Sequence, residues 1–331
     1  MPEPRVVSLL PSATETIAAV GGAGLLVGVS HECDEPDLRG SLPVLTAPRA
    51  EYDPGAGMNA AEVDRVVRAE RAADRSLYEL DEQALRQLQP DVILTQDLCD
   101  VCSIDLARVQ RVAASMDPVP TVVSLNPTTL EAVLDDLLKV GHAVGREPEA
   151  RRVMVDLRGR LFRAQEHVNQ FLEGPRVGFM EWTDPIFVAG HWTVQMIERA
   201  GATHPAQPTE MKPGSGAAAG PMQAERVAPK SRRIPIELFT SLKPEALVIA
   251  PCGLTLDQTR DEAQKLASQD WFRNLPAVRE DRVALVDGNQ MFNRPGPRLV
   301  DAFEWLVGWL NDRLELIPDG FPWEPFESVR T

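Results

Sequence analysis

Cysteine, histidine, carboxylate and tryptophan side chains recur in this chain just after short apolar runs. Cys99 and Cys102 form a C-x-x-C after Val92–Leu94, His31 and Cys33 follow Leu26–Val29, and Cys252 follows Leu247–Ala250. Thiolate and imidazole are soft donors that suit zinc, an iron–sulfur cluster or a cobalt centre. Cys33, Cys99, Cys102 and Cys252 are therefore a candidate metal set, with His31 beside it. The competing reading keeps Cys33 and Cys252 as buried residues of separate halves, and the C-x-x-C as two half-buried turn residues. Asp97, Asp100 and Asp105 flank that pair and would raise a thiol pKa, which works against a redox role.

Glu181-Trp182 and His191-Trp192 stand ten residues apart around Asp184-Pro185. Each tryptophan offers a wide flat apolar face and one edge donor. His191 can ligate a metal or hydrogen-bond an amide. Ser12 and Thr14 follow the first apolar run, where a helix N-terminus can receive an anion or a polar ligand edge, or where they simply cap the helix. Gln96 follows a strand in the same way. Phe292-Asn293-Arg294-Pro295-Gly296-Pro297-Arg298 is a rigid loop, and the Arg294 guanidinium suits carboxylate, phosphate or amide oxygen.

The elements that must position these groups alternate. Strands are expected at 6–10, 26–29, 92–94 and 121–125, with helices at 62–71 and 81–89 between them. Strands near 177–180, 247–250 and 283–286, and a closing helix over 298–310, repeat the alternation. Such a pattern implies parallel sheets with helices on their faces, and ligands outside the carboxyl ends of the strands. From 127 to 173 the periodicity is helical, with a capping box of Thr128 and Glu131 and candidate kinks at Gly141, Gly145 and Pro148. The expected organisation is an N-terminal α/β lobe over 1–126, a connecting helix over 127–173, a C-terminal α/β lobe over 174–312 and an extended tail over 313–331. The stretch 204–235 reads as a flexible insertion, because it is rich in Pro, Gly and Ala and contains GSGAAAG.

The chain has 331 residues, 49 acidic against 34 basic, and a net charge of −15. That balance argues against nucleic acid or an anionic membrane as partner. No apolar stretch approaches the roughly 20 residues of a membrane span. The N-terminus lacks the features of a signal peptide, so a cytoplasmic location is expected as the sequence stands, and a periplasmic or surface one if a leader was removed. No phosphate-binding glycine loop, H-E-x-x-H or nucleophile elbow is present.

Taken together, several ordered segments resemble one family. They are RVVSLLPSATETIAAVGGAGLLVGVSHECDEP (5–36), LYELDEQALRQLQPDVILTQDLCDVC (77–102), MEWTDPIFVAGHW (180–192), APCG (250–253) and DGNQMFNRPGPRLVDAFEWL (287–306). The resemblance is to cobalamin-binding-like proteins, within the class III substrate-binding proteins of ABC importers that carry vitamin B12, haem and iron–siderophores. It implies two Rossmann-like lobes joined by one long α-helix, with a ligand held in the cleft. The expected function is that of a soluble protein binding a corrinoid (cobalamin or cobinamide) or related metal-tetrapyrrole; an ABC importer receptor whose leader is missing, with an ABC permease as partner, is one alternative. The implied ligand-binding residues are Ser12, Thr14, His31, Gln96, Glu181, Trp182, His191, Trp192, Phe292 and Arg294, converging on one crevice. The chain departs from exported members by its missing leader, its four cysteines and the 204–235 insertion. An alternative is a metal- or iron–sulfur-dependent enzyme built on the same Cys/His set.

Overall fold

Strand β1 (Val6–Ser8) is buried along its whole length, as expected for a central strand covered on both faces. The structure, a computed structural model, describes residues 2–49, 58–73, 76–97, 104–169, 171–212 and 226–327. Cys99, Cys102 and the GSGAAAG stretch lie outside the described residues. The chain divides into two compact units. The first comprises Met1–Met58, Glu62–Pro127 and Ala132–Arg158; the second comprises Asn59–Ala61, Thr128–Glu131 and Gly159–Thr331.

In the first unit, β1 leads directly into α1 (Pro11–Ala19), whose proline takes the first helical position, where its missing N–H costs nothing. There follow β2 (Leu26–Gly28), β3 (Thr46–Pro48), α2 (Ala60–Ala72), β4 (Tyr78–Leu80), α3 (Glu82–Leu88), β5 (Val92–Thr95), α4 (Leu106–Ala114) and β6 (Thr121–Ser124). Asp81 and Asp105 cap α3 and α4 by accepting from Ala84 N and Ala107 N, both at 2.8 Å. The main sheet has the order β2-β1-β5-β6 and is parallel throughout. β3 and β4 form a separate antiparallel ribbon that pairs Thr46 with Leu80 and Pro48 with Tyr78. Neither ribbon strand was expected from the sequence, since neither lies in an apolar run of the kind that marks β1 and β2.

The helical run expected after residue 127 consists of α5 (Leu130–Ala143) and α6 (Glu147–Gln165). Gly145 separates them in the left-handed region (φ +69°), and Arg146 N closes back on Gly141 O at 2.7 Å. The Thr128–Glu131 capping box is not what starts α5. Leu130 N donates to Gln195 Oε1 at 2.8 Å, and Glu131 is drawn into an ion pair with Arg199.

The second unit runs β7 (Val177–Trp182), β8 (Phe187–Val188), α7 (His191–Arg199), β9 (Glu210–Met211), β10 (Arg226–Val227), β11 (Arg232–Arg233), α8 (Ile236–Ser241), β12 (Ala246–Ile249), α9 (Leu256–Ala267), α10 (Asp270–Arg273), α11 (Pro276–Arg279), β13 (Val283–Val286), α12 (Leu299–Leu310) and β14 (Trp323–Pro325). Its sheet has the order β11-β8-β7-β12-β13-β14. β7, β12 and β13 are parallel, while β8, β11 and β14 join antiparallel. A Thr255–Gln258 capping box starts α9. Phe321 stacks on Trp305 with centroids 5.3 Å apart, and Trp323 meets the same ring edge-on. Those contacts carry the C-terminal segment to the β13 edge.

Candidate functional site

Because all four strands of the first sheet run the same way, their carboxyl ends share one edge, and a small polar niche lies there. It is lined by Leu9, Pro11, Ser30, His31, Glu32, Thr46, Tyr78, Thr95, Gln96 and Ile104 and encloses about 30 Å³, the room of a water molecule. His31, three residues past β2, is its most constrained member. Its Nδ1 is 2.6 Å from Thr46 Oγ1, which also accepts from His31 N at 3.0 Å. With the Thr46 hydroxyl hydrogen directed to Ser30 Oγ (3.0 Å), Nδ1 carries the imidazole proton and Nε2 keeps its lone pair. Nε2 makes no hydrogen bond to any described residue. Burial, reinforced by the positive charge of Arg39, lowers the His31 pKa to about 4. At neutral pH the ring is therefore uncharged and able to ligate. The edge of Tyr78 packs 5.0 Å from the His31 ring, and its hydroxyl donates to Glu32 Oε1 at 2.7 Å.

Other candidates in this unit have internal roles. Thr14 is fully buried, and its hydroxyl lies 2.8 Å from Ser8 Oγ and 3.0 Å from Cys33 Sγ. Cys33 is itself fully buried, with its sulfur 3.0 Å from the Thr14 hydroxyl of α1. Ser12 is buried in the first turn of α1. Gln96 remains at the niche.

In the second unit the strand ends hold a different arrangement. The Glu181 carboxylate, at the end of β7, accepts from Gly190 N at 3.3 Å and from Ser231 Oγ. Burial raises its pKa to about 7, against the lowering effect of those two donors. His191 opens α7 with φ +47°, a left-handed conformation uncommon outside glycine, and its N–H donates to Pro229 O at 3.0 Å. Its pKa is lowered by burial and by the Lys230 charge. Gly190 is required here: a Cβ would stand 2.2 Å from Ser231 N and 2.7 Å from Pro229 O. Gln207 bonds Lys230 O at 2.9 Å as well, so the 229–231 strap is held from three sides.

Two members of the expected aromatic wall are buried. Trp192 and Phe292 are 7% and 1% exposed. The Trp192 indole donates to Phe292 O at 2.7 Å, and the Phe292 ring packs against Phe179 and Trp305, so both serve the core. Trp182 is half-buried, and its indole donates to Asp184 O at 3.1 Å. Arg294 is buried beside Asn289 Oδ1 (3.0 Å), while Asp287 accepts from Gln290 N and Leu256 N; these bonds fasten the loop after β13. Cys252 is exposed after β12. Among the described residues no group of three or more His, Cys, Asp or Glu side chains could hold a metal ion, and the Cys99–Cys102 pair lies outside them. Among those residues, too, no helix is long and apolar enough to cross a membrane.

A larger cavity of about 890 Å³ in the second unit is lined by Thr183, Ile186, Arg233, Ile234, Lys265 and Trp271, among others. It contains none of the side chains singled out above, and its buried acid, Glu262, is already engaged by Thr183 and Lys265. Size alone therefore does not make it the site. The sequence reading missed Ser30, Thr46, Tyr78 and Ser231. Ser30 adjoins His31 and was within reach of it, but the other three are brought in by pairing of distant segments.

The chain matches the family model described as periplasmic binding protein over residues 6–289. Among solved structures, the apo form of the periplasmic heme-binding protein RhuT from Roseiflexus sp. RS-1 superposes with a TM-score of 0.64 at 20% identity, covering 94% of this chain and 99% of that one. The periplasmic vitamin B12 binding protein BtuF of Vibrio cholerae gives 0.61 at 18% identity, covering 95% and 99%. A periplasmic heme binding protein from Pseudomonas aeruginosa gives 0.65 at 20%, covering 99% and 96%. At these identities the likeness carries the fold alone, that of the class III substrate-binding proteins. No curated protein matches the sequence at a significant level.

Proposed function

The chain belongs to the periplasmic binding protein family, and from that premise we propose that its ligand is a corrinoid or related metal-tetrapyrrole bound through His31. Proteins of this family are the substrate-binding components of ABC importers and take small ligands. The observation that carries the finer reading is the His31 imidazole: neutral, oriented through Nδ1 by Thr46, with Nε2 left without a bond to the described residues. A cobalt or iron centre at the middle of a tetrapyrrole needs one such donor along its axis. The hydrogen bond at Nδ1 fixes the ring and raises the basicity of Nε2. Gln96 and the Tyr78–Glu32 pair stand around the same niche to meet polar edges of the ligand. Delivery to an ABC permease from a periplasmic or surface location belongs to the same proposal.

The test is a visible-absorbance titration of the protein with aquacobalamin, aquacobinamide and hemin in turn. At least one should give a saturable band shift at one equivalent, and His31→Ala should remove it. A protein that shifts none of the three spectra, or whose shift survives His31→Ala, overturns the reading.

A further inference from the structure

Helix α6 presents an outward face whose chemistry no other described residue uses. Phe162 and Val155 are 65% and 66% exposed, an unusual state for two large apolar side chains seven residues apart on one helix. At about 100° per residue they share an arc of roughly 120° with Gly159, Arg152, Asp156, Arg163 and Glu166. All four charged residues are exposed, and none forms an ion pair or side-chain hydrogen bond among the described residues.

Gly159 lies in the middle of that arc and of that run of charges. Among the described residues a Cβ there would meet only the flexible end of Arg163, at 3.2 Å, so none of them demands glycine. A mid-helix glycine costs about 1 kcal/mol relative to alanine. Its use here points to a close approach from outside.

The charges are arranged with opposite signs about this residue. Arg152 and Glu166 each stand seven positions from Gly159, on opposite sides; Asp156 and Arg163 stand three and four positions away. We propose that this face binds a second copy of the same chain, with the two α6 helices antiparallel and their two-fold axis at Gly159. In that register Arg152 of each copy faces Glu166 of the other, roughly 10 Å from the axis at 1.5 Å rise per residue. Asp156 faces Arg163, and Val155 meets Phe162. Parallel pairing would oppose like charges. An isologous contact must be self-complementary in this way. One helix pair buries less than a standard interface, so the association is weak and reversible.

Sedimentation velocity over a concentration series reads it directly. The native chain should move from monomer to dimer as concentration rises. Phe162→Ala should abolish the dimer, and Arg152→Glu should weaken it by about tenfold, since two attractive pairs become repulsive. The double variant Arg152→Glu/Glu166→Arg restores opposite charges and should return association to within about threefold of native. These side chains are exposed, and circular dichroism checks that each variant stays folded. A chain that is monomeric throughout, or a dimer unaffected by Arg152→Glu, overturns the proposal. So does a double variant that stays as weak as the single one, which would leave the face to a different partner.

Discussion

The two units carry polar groups to the same place, the carboxyl ends of parallel strands, and use them in opposite ways. In the first unit a histidine is fixed at one nitrogen and left without a hydrogen bond to any described residue at the other. In the second, the corresponding groups are turned inward: Glu181 is engaged by Gly190 and Ser231, Trp192 by Phe292, and Asp287 by its own loop. A rich set of side chains at a strand end is therefore no measure of binding capacity. What matters is which atoms retain unused bonding capacity after the local backbone has been satisfied.

That comparison can be broken most directly at His31. Replacing it with alanine should abolish the spectral shift of a bound metal-tetrapyrrole, with circular dichroism at pH 7 showing that the variant stays folded. Thr46→Val, which frees the ring but keeps its volume, should weaken the same titration by about 10–100-fold, as loss of an orienting bond does at metal-bound histidines. A Thr46→Val protein with native affinity would remove the orienting role. At the other strand end, Gly190→Ala should destabilise the fold by about 3 kcal/mol in a urea titration, because backbone atoms rather than a movable side chain occupy the space.

Opposite signs should also appear in pH dependence. His31 and His204 have pKa values lowered from 6.5 to about 4 mainly by burial, so the stability they confer is present above pH 6.5 and is lost as pH falls toward 4. Glu181 is raised from 4.5 to about 7, so its contribution is full below pH 4.5 and fades as pH rises through 7. Between pH 4.5 and 6.5 the two trends oppose each other. Glu181→Gln should unmask the histidines, making unfolding free energy climb more steeply with pH across that window, by roughly 2 kcal/mol. An unchanged slope would place the Glu181 carboxyl in a more solvated setting. The smallest expected effect is Tyr78→Phe, which removes one hydrogen bond to Glu32 and should cost about 1 kcal/mol in the same denaturation.

Much of this organisation was readable from the chain. Buried strands such as Val92–Thr95 and Val283–Val286 announce themselves as apolar runs, and α2 and α3 by helical spacing. Short pieces did not: Phe187–Val188 and Arg232–Arg233 are two residues each and become strands only by pairing, the first with β7 and the second with the first. The helical run was read as one connecting helix with candidate kinks at Gly141, Gly145 and Pro148, and it is at the left-handed Gly145 that α5 and α6 divide. Of the site, His31 was found by its place after a strand, but Thr46 and Tyr78 had no local sign.

Local order thus followed from patterning, because apolar periodicity decides which stretches are buried and strand-to-helix alternation decides that the central strands run parallel. The protonation of His31, the inward turn of Trp192 and the enclosure of Glu181 were decided only by tertiary structure. Each depends on groups 15, 100 and 50 residues away, and desolvation and hydrogen bonding respond to distance in space.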